Sequence, residues 1–197
     1  MFRYAIAALV LAGLVAVQPA SADIKIGDSA PAYSNLPGVD GKTHSLADLK
    51  AKDVLVLVIT CNHCPVAVDY EDRLIDFTKK YSSSPDSKVA VVAINVNNLP
   101  ADRLDKMIER SKEKGFNFSY LYDESQKIAK DLGAKVTPEF YVFDKNRKLV
   151  YHGAMDDSRN PTKVSKKYLE AAVDSLLAGK APEVPQTKAF GCSVKYD

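Results

Sequence analysis

The chain has 197 residues, 46% hydrophobic and 26% charged, with a formal net charge of +2. That is ordinary globular composition for one domain. Like charges form no runs, so electrostatics gives no reason to expect nucleic acid or acidic lipid as a partner, and neither is expected.

In chain order, "MFRYAIAALVLAGLVAVQPASA" comes first: Arg3, an apolar run from Ala5 to Val17, then Pro19 and the small triplet Ala20-Ser21-Ala22. This is the layout of a secretory signal peptide cleaved after Ala22. The run is about 13 residues long, short of the roughly 20 that a bilayer-spanning helix needs. Residues 1–22 are therefore expected to be a leader and 23–197 a single mature domain in a bacterial periplasm. The leader would be its one contact with the membrane. In that compartment disulfides persist.

The mature chain opens turn-rich, with Asp40-Gly41 suited to a hairpin and Ser45 or Thr43 to capping a short turn over Leu46 to Leu49. "DVLVLVIT", Asp53 to Thr60, and "KVAVVAINV" read as strands buried on both faces. Between them, Val66, Tyr70, Leu74 and Phe77 recur at helical spacing. "PADRLDKMIERSKEKG" is an amphipathic helix with Pro100 at its start and Gly115 at its end. "FNFSYLYD" is a short strand, and "SQKIAKDLGA" a short helix stopped by Gly133. "PEFYVFDKNRKLVYHGAM" gives two strands joined by Asp144-Lys145-Asn146-Arg147. A last helix presents Val164, Tyr168, Ala172, Leu176 and Leu177, and the tail from Ala181 is expected to be irregular. The order β-α-β-α-β-α-β-β-α predicts an α/β fold with one central mixed sheet and helices on both faces.

The chemistry concentrates in "TCNHCPV". Cys61 and Cys64 fall where a buried strand ends and a helix begins. Asn62 is a suitable N-cap, which puts Pro65 at the third helical position, where its missing N–H costs nothing. First-turn N–H groups and the helix dipole favour a thiolate there, and a protonated His63 adds to the effect. The spacing suits a Cys61–Cys64 disulfide, with Cys61 as the nucleophile. Covalent haem needs a histidine straight after the second cysteine, where Pro65 stands, so haem is excluded. A structural zinc site wants four ligands. One cysteine pair, the lone Cys192 and three histidines supply those only if the tail folds back.

The combination "TCNHCPVAVDYEDRL", "YLYDESQKIAKDLGAKVTPEFYVFD" and "GCSVKYD" resembles the peroxiredoxin-like redoxins that carry a CxxC. The opening from Ile26 resembles the alkyl hydroperoxide reductase/thiol-specific antioxidant group and periplasmic thioredoxin-like reductases. The resemblance implies a thioredoxin fold and a thiol–disulfide oxidoreductase. In it Cys61 attacks, Cys64 resolves, Pro138 is a cis-proline facing the pair, and the Thr137 backbone binds an extended thiol substrate. Partners would be protein thiols and disulfides or a thioredoxin-like electron donor. The electrons stay on sulfur, so no cofactor is expected and no metal is assigned to the site.

Two other readings stand beside this one. One is a thiol peroxidase acting on hydroperoxides. The peroxiredoxin pattern Pro-x-x-x-Thr/Ser-x-x-Cys is missing, however: reading back from Cys61 gives Val58 and Val54, and from Cys64 gives Cys61 and Leu57. The other is a carrier of copper or a similar metal through both cysteines with His63 or Cys192. Cys192 is either a small buried hydrophobe or a third thiol that resolves a mixed disulfide. Glu139 is a candidate proton acceptor near the cysteines. Asp156 and Asp157 read as loop polar groups or caps, His44 and His152 as plain surface residues. The tyrosines at 70, 120, 122, 141 and 151 read as core.

Overall fold

A computed structural model describes residues 23–197. The expected leader over residues 1–22 lies outside the described residues. The chain begins with a small antiparallel hairpin, β1 (Leu36–Pro37) and β2 (Thr43–His44), turning through Asp40-Gly41. A 3-10 turn over Leu46–Leu49 follows, started by Ser45, whose N–H donates to Asp48 Oδ2 at 2.7 Å. Next come β3 (Val54–Thr60), α1 (Pro65–Tyr81), β4 (Val89–Asn95), α2 (Leu104–Lys114), β5 (Ser119–Tyr122) and α3 (Lys127–Leu132). The chain finishes with β6 (Val136–Thr137), β7 (Glu139–Phe143), β8 (Leu149–Gly153), α4 (Tyr168–Leu177) and β9 (Cys192–Ser193).

Five strands form the central sheet in the order β5-β4-β3-β7-β8. β3, β4 and β5 run parallel, while β7 is antiparallel to β3 and β8 to β7. β3 lies at the centre, and alternation divides its side chains between two cores. Val54, Val56 and Val58 meet Tyr70, Leu74 and Phe77 of α1 and Leu169 and Val173 of α4. Leu55, Leu57 and Ile59 meet Ile128 and Leu132 of α3 on the other face. Residues from Val54 to Ile59 are at most 1% exposed, which is why the strand reads as an unbroken apolar run. α2 ends as its sequence indicates, with Gly115 in the left-handed conformation at φ 66°.

Two expectations need correction. The buried face of α4 is Leu169, Ala172 and Val173, while Leu177 is 47% exposed and Val164 precedes the helix. Because the helix starts at Tyr168, its apolar stripe is offset from the one read off the sequence.

The tail is not irregular at its end. β9 pairs antiparallel with β6, and the Val194 N–H donates to Lys135 O at 3.0 Å. The Lys195 N–H reaches Asn97 Oδ1 at 2.9 Å and the Tyr196 hydroxyl Ala134 O at 2.7 Å. Further back, Thr187 N–H donates to His152 O on β8. Polar partners scattered over three earlier segments hold this stretch, and no local periodicity announces them.

Asp156 is the expected loop polar group, accepting from Ser158 N–H, and it is buried as well. It is 4% exposed, accepts from the Arg73 guanidinium at 2.6 Å and from the Tyr70 hydroxyl at 2.9 Å, and ties α1 to the loop after β8. The guanidinium also lies over the Tyr70 ring, 3.6 Å from its centroid. Asp157 behaves as the expected cap, accepting from Ser165 and Lys166 N–H. The five tyrosines assigned to the core are all buried.

Removing one partner of a buried ion pair leaves the other charge desolvated and alone. Asp156→Ala is therefore expected to cost about 3 kcal/mol in urea unfolding. A loss under 1 kcal/mol, about the worth of an exposed pair, would show that Arg73 finds solvent instead.

Candidate active site

β3 delivers the chain to the sheet edge at Thr60, and α1 begins five residues later. The turn between them is built by Asp102, which the sequence reading missed. This carboxylate is fully buried; Oδ1 accepts the N–H groups of Asn62 at 2.9 Å and His63 at 3.1 Å. Oδ2 pairs with His63 Nδ1 and accepts from Asn97 Nδ2 at 3.2 Å. Asn95 Nδ2 donates to the Asp102 carbonyl at 2.6 Å. One signal was present: asparagines at 95 and 97, at and just beyond the end of a fully buried strand, must find partners there.

Asn62 is not the N-cap. Its amide donates to Ala101 O at 3.0 Å and its Oδ1 accepts from Tyr120 at 2.9 Å, so it is committed elsewhere. The N-cap is Cys64, Pro65 stands in the first turn, and Ala67 N–H points at Cys64 Sγ at 3.4 Å. The helix-end N–H therefore serves Cys64 rather than Cys61.

The expected Cys61–Cys64 disulfide is also corrected: Cys64 is bonded to Cys192, and Cys61 is a free, buried thiol. β9 makes this possible. Its register sets Cys192 directly opposite Thr137, and the Cys64 and Cys192 Cα atoms are 5.9 Å apart, within ordinary disulfide reach. Gly191 permits that approach, because a Cβ there would lie 2.1 Å from the Thr137 carbonyl oxygen. The bond closes a loop across 128 positions, for which chain entropy suggests about 5 kcal/mol of stabilisation.

Two sulfurs touch Thr137, the residue before a cis peptide to Pro138, and the third, on Cys192, is bonded to one of them. Cys61 Sγ lies 3.4 Å from Thr137 Oγ1, and Cys64 Sγ lies 3.2 Å from Thr137 O. The latter is a contact and not a hydrogen bond, since a disulfide sulfur carries no proton. Cys61 otherwise faces apolar walls from Val58, Tyr70, Phe118, Pro138 and Phe140. Burial there pushes its thiol above the ordinary cysteine value; the Thr137 hydroxyl opposes this, the Asp102 charge adds to it, and the Cys64 and His63 N–H groups only soften it. The thiolate-favouring effect expected of the helix start does not prevail at Cys61.

His63 is half-buried and committed to Asp102. The ligand atoms of Cys61, His63 and Asp102 lie within 4.8 Å of one another, a spacing compatible with a metal. The Asp102 oxygens are already engaged by four donors, however, and Cys64 and Cys192 have no thiolate to offer in this oxidation state. Glu139 is buried and engaged with His152, and accepts Lys135 N–H at 2.8 Å and Val136 N–H at 3.3 Å. It shapes the β6 turn. His152, expected on the surface, stacks on Tyr141 with centroids 4.6 Å apart. His44 pairs with Asp40 at 3.0 Å.

A family model described as Redoxin matches residues 25–171. The chain belongs to the Redoxin family. The match stops short of β9, so Cys192 lies beyond it. The hypothetical protein SMc02350 from Sinorhizobium meliloti 1021 is 35% identical with a TM-score of 0.81, over 90% of this chain and 97% of that one. An uncharacterized conserved protein from Geobacillus kaustophilus is 36% identical with a TM-score of 0.80, over 88% and 93%. A putative thioredoxin from Neisseria meningitidis is 25% identical with a TM-score of 0.59, over 77% and 92%. No curated protein matches. The fold of this redoxin is thioredoxin-like, with a central mixed sheet flanked by helices.

Two predictions follow from the electrostatics. A raised pKa leaves Cys61 mostly protonated at neutral pH, and only the thiolate reacts. Alkylation of the oxidised redoxin by iodoacetamide should keep accelerating above the pH at which an ordinary cysteine levels off. Thr137→Val should move that profile further to alkaline pH. A plateau in the neutral range would show Cys61 to be an activated thiolate.

At Glu139 burial raises the pKa, but the His152 and N–H contacts outweigh it, and the carboxyl lies below its ordinary value. A depressed folded-state pKa stabilises above the unfolded value and is lost as pH falls through the folded one. Glu139→Gln should therefore cost about 1–2 kcal/mol at neutral pH, with the gap to the parent closing as acid protonates the carboxyl. A gap independent of pH would mean that the charge contributes nothing.

Proposed function

We propose that this redoxin is a periplasmic thiol–disulfide oxidoreductase that exchanges disulfides through Cys61 and Cys64. The observation that carries the reading is the placement of a free thiol and a disulfide sulfur against one residue, Thr137, beside a cis-proline. The buried site, with Asp102 holding the Asn-His turn, keeps both sulfurs at fixed positions.

In the reductive direction the Cys61 thiolate attacks a substrate disulfide and forms a mixed disulfide. Cys64 then displaces the product by attacking the Cys61 sulfur. Reversed, the same steps oxidise substrate thiols. The Thr137 edge, assigned to an extended substrate by resemblance, is paired with β9 in the oxidised form. A substrate strand there has to follow reduction of the Cys64–Cys192 bond. The leader-like residues 1–22 support an exported location, where such a disulfide persists.

Peroxide chemistry is less well served. The Pro-x-x-x-Thr/Ser-x-x-Cys pattern of a peroxiredoxin site stands before neither Cys61 nor Cys64. The test is stopped-flow oxidation of the fully reduced redoxin by hydrogen peroxide beside a model protein disulfide. The disulfide should react fast and peroxide no faster than with an ordinary thiol, and Cys61→Ser and Cys64→Ser should each abolish turnover. If peroxide is the fast partner, the protein is a peroxidase and this reading is lost.

A further inference from the structure

We propose that Cys192 is a third exchanging sulfur, which takes the disulfide over from the CxxC and presents it to a dithiol electron donor. The inference rests on the reading of the chain as an oxidoreductase.

Three sulfurs and one disulfide allow a bond from Cys64 to Cys61 or to Cys192. Cys64 is common to both, is fully buried, and sits at the start of α1. Cys61 stands against the Thr137 hydroxyl and Cys192 against the Thr137 backbone in the β6–β9 register. Cys61 and Cys64 form one buried cluster, against which Cys192 packs. A purely structural staple between a helix start and the tail needs no spare thiol beside it. Here the staple uses the second cysteine of the CxxC, and the first remains reduced in contact with the same threonine.

The steps balance. After Cys61 and Cys64 have reduced a substrate disulfide, they are joined and Cys192 is a thiol. The Cys192 thiolate attacks the Cys64 sulfur. The Cys64–Cys192 bond forms, the Cys61–Cys64 bond breaks, and Cys61 leaves as a thiolate that takes up the proton Cys192 lost. No electrons enter or leave in this step. The dithiol donor then attacks the Cys192 sulfur, Cys64 departs as a thiolate, and the donor's second thiol displaces Cys192. Two electrons have then passed from donor to protein.

Accessibility sets the direction of approach. Cys61 is 3% exposed and Cys64 fully buried, whereas Cys192 is half-buried at the tail. The donor therefore meets the end of the disulfide that the tail carries.

The test starts from fully reduced redoxin and one equivalent of a model protein disulfide. The mixture is acid-quenched over time, alkylated and mapped by mass spectrometry. The Cys61–Cys64 bond should appear first and give way to Cys64–Cys192, leaving the alkyl label on Cys61. Cys192→Ser should stop at Cys61–Cys64 and lose steady-state turnover with dithiothreitol as donor, while keeping its single stoichiometric round. Because every sample begins reduced, loss of the tail staple is common to parent and variant. Exchange that ends at Cys61–Cys64 in the parent, with the label on Cys192, would overturn the relay and leave the oxidoreductase reading intact. So would formation of Cys64–Cys192 at the parental rate in Cys61→Ser. No exchange with the disulfide at all would overturn both.

Discussion

Two-sided burial of β3 is the constraint on which the rest depends. Its residues from Val54 to Ile59 have no contact with water on either face, so the strand's register cannot slip without exposing apolar side chains. That register fixes where the chain leaves the sheet, and therefore where Cys61 emerges. β7, antiparallel to β3 on its other side, brings Thr137 and Pro138 to the same end. The sulfur site is thus a consequence of how the sheet is assembled.

A buried polar network completes what packing begins. Asp102 accepts two backbone N–H groups, one histidine nitrogen and one asparagine amide, and in doing so holds the Asn62-His63 turn. Low local dielectric makes such a network rigid when it is satisfied and costly when it is not. Burial raises the pKa of Cys61 and the same Asp102 charge adds to it, so the residue that shapes the turn also restrains its first thiol. Rigidity and reactivity are in opposition at this point.

The tail changes the character of the site. Where the CxxC pattern implies a bond between neighbours, β9 offers Cys64 a partner 128 positions away and lays it along the Thr137 edge. The oxidised protein therefore carries its own strand β9 along the Thr137 edge.

The α/β order, the doubly buried strands, the tyrosine core and the CxxC at a strand-to-helix junction were all legible in the sequence. Each is a local pattern: an apolar period, a breaker, or a spacing of two cysteines. The partner of Cys64, the capping role of Cys64 in place of Asn62, the burial of Asp102 and Asp156, and the stacking of His152 on Tyr141 were not. They depend on groups far apart in the chain that meet only when β9 closes on β6 and α1 packs on the sheet. Sequence by itself determined that sulfur chemistry sits at the end of β3. Tertiary structure alone decided which sulfurs are joined, because a disulfide forms between neighbours in space, and Cys192 becomes a neighbour only through strand pairing.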